Sequence, residues 1–281
     1  MIYRTQGVDV SGWSGNIDWD TAAQWIPFAY YKCTEGTTGV DISFAANKMG
    51  CDRAGMPHAP YHYYHPDLSA DLQAAHFVNT AGLGYNVFIV DVEEAPITMN
   101  QFQTNLRKCV EKIVQLTNGA KVAIYTSAGF WDAWCSHNIF PGWAGNYPLI
   151  VANYTVDNRP HLPIGWGTWK VWQFSKNFWF PGCPGTVDGN WFNGNLEECR
   201  AWFGNYNPVN PPVYNKTRVC SLFSELHVRT IPSINAKVLD HLAKGEIVEV
   251  DELGGKDVWI KHSRGWTAVE RNSYRYMEVV K

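Results

Sequence analysis

Three carboxylates fall within four residues where Phe88-Ile89-Val90 runs into Asp91, Glu93 and Glu94. Acidic residues are depleted in strands and rarely buried without a partner. Their place at the end of an apolar run therefore calls for a chemical reason. Strand geometry has a period of two, so Asp91 and Glu93 share one face while Val90 and Val92 point away. Their backbone positions are about 6–7 Å apart, since each residue advances ~3.3 Å. Carboxyl pairs at that spacing cut glycosidic bonds, one member protonating the leaving oxygen. Like charges held close raise the pKa of one member and give an acid able to donate near neutral pH. Taken alone, Asp91-x-Glu93 is equally a metal site, a salt-bridged strand end or a helix cap.

Other runs also end in polar groups. Asp9 closes GVDV, Lys32 closes FAYYK with Glu35 just beyond, and Tyr63 falls at the end of PYHYY. Tyr125, Asn153, Gln173 and Asp188 fall at the ends of the later ones. These residues converge only if the runs lie side by side. Eight of them recur, at 7–10, 28–32, 60–64, 87–92, 121–126, 148–154, 169–174 and, weakly, 185–190. Helix-compatible segments at 43–55, 68–82 and 99–117 separate the early ones. Strands alternating with helices predict a parallel sheet, and eight predict a closed (β/α)8 barrel with its active site at the C-terminal strand ends. Residues 155–168, with two prolines and two glycines, offer no helix. The expected fold is α/β: an irregular barrel whose late helices are missing or shortened.

Near residue 204 the pattern changes. GNYNPVNPPVYN (204–215) is rich in proline and asparagine and lacks periodicity, as a linker does. Beyond it, short alternating segments at 226–229, 247–250, 258–261 and 266–269 are separated by turn signals, which predicts a small all-β barrel. The expected domains are thus 1–204, a linker at 205–216, and 217–281.

Composition excludes several classes. Residues 1–204 carry 12 Lys+Arg against 17 Asp+Glu, and residues 205–281 carry 11 against 9. Neither half is basic enough to argue for nucleic acid, and no apolar stretch approaches the ~20 residues of a membrane span. The N-terminus shows no charged-then-apolar export signal. Seven scattered cysteines, none in CxxC spacing, read as reduced and buried thiols. The 14 Trp, 14 Tyr and 13 Phe are unusual, and many sit beside glycine or polar residues, as in SGWSG, FPGW and GNWFNG. Flat rings in polar surroundings suit stacking on sugars, while core anchoring accounts for many of them unaided.

GVDVSGWSGNIDW (7–19), KCTEGTTGVD (32–41), PYHYYH (60–65), FIVDVEE (88–94), AIYTS (123–127), VWQFS (171–175) and VDGNWF (187–192) together resemble the glycoside hydrolase family 25 lysozymes over roughly residues 5–200. The tail resembles bacterial SH3-type domains, and the combination resembles a bacteriophage endolysin or bacterial autolysin. The resemblance implies an N-acetylmuramidase that cuts the β-1,4 bond between N-acetylmuramic acid and N-acetylglucosamine and lyses bacterial cells. It carries the acidic set onto Asp9, Asp91, Glu93 and Asp188, with Glu35 in the TEG element. Glu93, longer and nearer the mouth, is the implied general acid. Asp91 is implied to stabilise positive charge or orient the substrate's 2-acetamido group, in a substrate-assisted route. Asp9 and Asp188 tune the charge of the site. Glu35, Lys32, Tyr63, Tyr125, Trp172 and Gln173 are candidate substrate contacts.

No cofactor is required by this reading. His58, His62, His65 and His76 crowd one region without clean metal-ligand spacing, so no metal is expected. The expected partners are bacterial peptidoglycan and a wall ligand for the tail, with the protein a monomer made in the host cytoplasm and acting at the wall. Three other readings stay open: a chitinase-like hydrolase, a non-catalytic wall-binding protein, and a metal-dependent deacetylase. The last needs an Asp–His–His cluster that no run supplies.

Overall fold

Strand β1 (Arg4–Val10) starts a chain of alternating strands and helices: α1 (Trp19–Ala22), β2 (Ala29–Glu35), β3 (Gly39–Val40), α2 (Phe44–Arg53), β4 (His58–Tyr63), α3 (Ala70–Ala81), β5 (Val87–Asp91), α4 (Met99–Leu116), β6 (Lys121–Ser127), α5 (Ala128–Cys135), β7 (Leu149–Ala152), β8 (Val171–Phe178), β9 (Val187–Asn193) and α6 (Leu196–Phe203). The structure is a computed structural model. It describes residues 4–96, 99–135, 142–155, 157–204, 218–221, 225–231, 233–249, 252–254, 258–271, 274–275 and 277–280. The sheet runs β1-β9-β8-β7-β6-β5-β4-β2-β3 and closes through the β1–β2 pairing, giving an eight-stranded barrel with β3 as a hairpin extension of β2.

Period-two alternation sorts the side chains into two layers. Val8, Val10, Tyr31, Cys33, Phe88, Val90, Val122, Ile124 and Val151 point outward into one core. Phe28, Tyr30, Ala59, Val87, Ile89, Ala123, Ile150 and Val171 fill the barrel interior. The end away from the acidic residues is plugged by α6, whose Cys199, Trp202 and Phe203 join the interior and whose Phe203 stacks on Phe28 at 4.8 Å. Helix α6 starts at a reciprocal capping box between Asn195 and Glu198, which satisfies its first amide groups. Gly7 is required near this end, because a Cβ there would come within 2.4 Å of the Phe28 ring.

Two features differ from the expectation of a wholly parallel barrel. Strand β9 is antiparallel to both β8 and β1, because β8 and β9 are joined by a turn too short for a crossover helix. No helix occurs in the described residues between β7 and β9, and an aromatic layer covers that flank instead. Trp172 lies between Trp169 and Phe174, with ring centroids at 6.0 and 6.4 Å, and Phe174 stacks on Trp191 at 5.1 Å.

The described tail is entirely strand and turn: β10 (Arg218–Ser221), β11 (Leu226–Arg229), β12 (Val238–Leu242), β13 (Ile247–Glu249), β14 (Glu252–Gly254), β15 (Val258–His262), β16 (Gly265–Arg271), β17 (Tyr274–Arg275) and β18 (Met277–Val280). All its pairings are antiparallel and fall in two sheets, β13-β10-β18 and β12-β11-β16-β15-β14 with β17 on β16. Gly245 and Gly265, at positive φ of 80° and 140°, make the turns that Lys244-Gly245 and Arg264-Gly265 signal in sequence. The expected linker, 205–216, lies outside the described residues. Among the described residues no helix is long and apolar enough to cross a membrane.

Candidate active site

The parallel strands deliver their last residues to one rim of the barrel. Cross-strand register sets Tyr63 beside Asp91, Asp91 beside Tyr125, and Asp9 beside Tyr30. Asp188 arrives by another route. It is the second residue of β9, and because β9 runs backwards its start meets the same rim, opposite Asp9. The expectation that Asp188 ends a parallel strand is thus corrected, while its position at the mouth holds.

Asp9, Asp91, Glu93 and Asp188 line one cavity of about 160 Å³, together with Tyr30, Tyr61, Ile89, Tyr125, Tyr154 and Gln173. Glu93 lies two residues past Asp91, beyond the end of β5, and is solvent-exposed at the mouth. The buried Val92 between them continues the strand alternation, its N–H donating to Tyr125 O at 2.9 Å. Asp91 is only 7% exposed, and its buried Oδ1 has no hydrogen-bond partner within the protein. That oxygen is enclosed by the protein, while the Asp91 side chain as a whole lines the cavity.

Gln173 is the hub of the floor. Its Oε1 accepts from Tyr125 Oη at 2.9 Å and Tyr154 Oη at 2.7 Å. Its Nε2 donates to Asp9 at 2.9 Å and Asp188 at 3.2 Å. Asn190 Nδ2 adds a 2.7 Å bond to the same Asp9 oxygen, and Tyr30 Oη donates to Asn190 Oδ1 at 2.8 Å. Gln173 is 1% exposed with its amide fully used, so it holds Asp9 and Asp188 rather than offering a group to a substrate.

The electrostatics follow from burial. Burial, reinforced by the charge of Asp188, pushes the Asp9 carboxyl up to about 8. Burial, with Glu93 adding to it, takes Asp188 up to about 6. Asp91 is raised well above the usual carboxylate range by burial first, then by Glu93 and Asp9. Glu93 is raised by burial too, with Lys32 opposing. Both carboxyls of the pair are thus raised, Asp91 deep among three other carboxyls and Glu93 at the mouth where its outer side reaches water. The site retains protons toward neutral pH, and of the pair Glu93 is the one placed to pass a proton outward.

A second, larger space is lined by other residues. A groove of about 560 Å³ is lined by the hairpin 35–42 with Gly12, Trp13, Lys32, His65 and Leu68. Lys32 and Glu35 lie here rather than in the carboxyl cavity, bonded to each other at 2.5 Å, and the Lys32 ammonium lies 4.8 Å from the Tyr63 ring centroid. The Lys32 hydrogen bond holds the Glu35 carboxyl below its ordinary value. Trp13, 97% exposed, stands on the rim. Its turn is fixed by a capping box between Ser11 and Ser14 and by Gly12 N–H donating to Asp41. Trp13 was legible as an aromatic in polar surroundings, in SGWSG, but spacing gave no reason to single it out. Tyr30, Tyr61, Tyr154 and Asn190 were missed as well; only the closed sheet brings them to the cavity.

One candidate falls away. Trp172 points to the outside of the barrel, is 3% exposed, and donates its indole N–H to Asn153 O at 2.7 Å. Alternation explains it: Gln173 faces inward, so its neighbour cannot. The four crowded histidines are held by different partners: His58 by Tyr31 and Asp52, His62 by Thr34 and Gln73, His65 by Glu35 and Glu94, and His76 by the Gly39 carbonyl. No cluster of three metal-ligating side chains occurs among the described residues. Cys33, Cys51, Cys109, Cys183 and Cys199 are buried free thiols.

Residues 8–183 match the family model described as glycosyl hydrolases family 25. Among curated proteins, the chain is 32% identical over 209 residues to an uncharacterized protein, YegX, of Escherichia coli (strain K12), a match spanning 71% of this chain and 74% of that one. It is 31% identical over 214 residues to Lysozyme M1 of Streptomyces globisporus, spanning 71% of each. Among solved structures, the bacterial lysozyme from Streptomyces coelicolor superposes with a TM-score of 0.65 at 31% identity, covering 72% of this chain and 98% of that one.

Proposed function

The chain belongs to glycosyl hydrolase family 25 and is a glycoside hydrolase; on that premise we propose that it cleaves the β-1,4 bond between N-acetylmuramic acid and N-acetylglucosamine in bacterial peptidoglycan. The observation that carries this reading is the convergence of Asp9, Asp91, Glu93 and Asp188 on one cavity at the barrel mouth, with one oxygen of Asp91 left unpartnered. Glu93 is the general acid. Its carboxyl is raised above its ordinary value by burial, and it reaches the solvent side, where the glycosidic oxygen of a bound chain lies. Asp91, behind it, presents its carboxyl to the sugar from the cavity lining. There it accepts the 2-acetamido N–H and, once ionised, stabilises the positive charge that develops as the bond breaks. Gln173 and Asn190 keep Asp9 and Asp188 at the cavity floor, and Tyr125 and Tyr154 form its wall.

The groove takes the sugars that continue the chain, with Trp13 as an apolar platform for one pyranose face. The tail is an SH3-like module that binds a cell-wall ligand and holds the barrel near its substrate. Its effect is one of local concentration, with avidity gains of up to about 10²–10⁴-fold where the geometry permits.

The test is chemical identification of the new end. Purified peptidoglycan treated with the enzyme and then reduced with borohydride should yield muramitol. Glucosaminitol instead would mark a chitinase-like specificity, and no new reducing end would leave a wall-binding protein without catalysis.

A further inference from the structure

His65, just past the end of β4, is wedged between two carboxylates. Its Nε2 lies 3.1 Å from Glu35 Oε1 on the groove hairpin, and its Nδ1 lies 2.6 Å from Glu94 Oε2. Glu94 is the neighbour of Glu93 on the segment that follows β5. The backbone of His65 is fixed as well. Its N–H donates to Gln73 Oε1 at 2.9 Å, and Gln73 Nε2 donates back to its carbonyl at 2.9 Å, with Gln73 fully buried. A chain of contacts therefore runs Lys32–Glu35–His65–Glu94, from the groove lining to the residue next to Glu93.

A neutral imidazole carries one N–H and can donate to only one of the two carboxylates; the imidazolium donates to both. Charge-assisted bonds of this kind are the short, directional ones. We propose that His65 is a positioning residue for Glu93: its two ring nitrogens tie Glu94, and with it the turn that carries the acid, to the Glu35 wall of the groove. The groups that face His65 are Glu35 and Glu94 on its two nitrogens, Lys32 behind Glu35, the Tyr63 ring at 5.4 Å, and His62 on its own strand. The segment 92–96 belongs to no helix or strand, so contacts of this kind set where Glu93 stands. A displacement of about 1 Å at an acid can cost ~10²-fold in rate.

The inference rests on Glu93 being the general acid, and the test keeps the two apart. His65→Gln, Glu94→Gln and the double variant are assayed on purified peptidoglycan beside Glu93→Gln, with kcat, KM and the pH profile measured for each. His65→Gln and Glu94→Gln should each lower kcat by about 10–100-fold with KM within threefold. The double variant should be no worse than the more damaged single one, since both cut one bridge. A fall in kcat with KM held is the signature of a misplaced acid, which a merely structural loss of folded enzyme would not give at fixed active-site concentration. Glu94 is 37% exposed, so its variant is expected to fold even where the His65 variant does not. Wild-type kcat in Glu94→Gln, or effects of the two variants that multiply, would overturn the bridge while an inactive Glu93→Gln left the acid assignment standing. Full activity in Glu93→Gln would instead overturn the assignment on which the bridge depends.

Discussion

The two flanks of the barrel solve the same packing problem differently. From β2 to β6, helices α2, α3 and α4 cover the outer face, the strands are parallel, and Tyr63 and Asp91 come to the site as last residues. From β7 to β9 the described residues hold no helix, Trp172, Phe174 and Trp191 cover the sheet, and Asp188 comes to the site as an early residue of a reversed strand. The contrast teaches that the mouth of a barrel is defined by where strand ends meet in space, not by chain direction. It also accounts for much of the aromatic excess. A flank without helices needs large flat side chains to exclude water from the sheet, so Trp172 and Trp191 are structural while Trp13 alone of the quoted glycine-flanked tryptophans stands free at a groove.

Charge-site variants on the two flanks sharpen that contrast most. Glu93→Gln should lower the cleavage rate by ~10²–10⁴-fold at unchanged fold and wall binding, because Gln keeps the shape and cannot supply the proton. Asp188→Asn, on the reversed strand, should reduce the rate as well but by a smaller factor, since Asp188 stays at the floor beneath Gln173. Equal activity of Asp188→Asn and wild type would mean that the reversed strand contributes wall and no chemistry.

The aromatic flank is tested by stability. Trp172→Ala should destabilise the barrel by ~3–5 kcal/mol, the usual cost of truncating a buried Trp, as read by denaturant unfolding. A loss under ~1 kcal/mol would show that the layer is not the substitute for helices described above.

The carboxyl floor makes a pH prediction of known sign. Asp9 and Asp188 have folded pKa values raised to about 8 and about 6, so the folded state holds protons that the unfolded chain has released. Stability from these groups is fully present below the ordinary carboxylate range and is lost as pH rises through about 6 to 8. Asp9→Asn should therefore flatten the fall in melting temperature between pH 5 and pH 8 and raise the melting temperature at pH 8 above that of the wild type, while lowering activity. Removal of a charge that stabilised the fold would give the opposite sign.

The smallest effect on the fold is expected at Trp13. Trp13→Ala should leave stability within ~0.5 kcal/mol, as surface substitutions do, and lower kcat/KM severalfold on long peptidoglycan strands but not on the shortest cleavable fragments. Equal losses on both would place Trp13 at the scissile bond instead of along the chain.

Much of this was legible in the chain. Asp91 and Glu93 were readable from one strand end, because a period of two fixes which neighbours share a face. The same rule, applied to the inward Gln173, turns its neighbour Trp172 to the outer face. The amino-acid sequence by itself determined the alternation that sorts Asp9, Asp91, Glu93 and Gln173 inward and the valines outward, the break near residue 204, and the strand-only pattern after it. Only the tertiary structure decided that β9 closes the barrel on β1: the short turn after β8 forces β9 to run backwards, but nothing local names β1 as its second partner. The same closure decided that Gln173 and Asn190 meet Asp9 across the barrel at sequence separations of 164 and 181 residues. It also decided that Asp91 is buried among other carboxyls. Such separations and such burial are properties of a closed surface, and no local spacing encodes them.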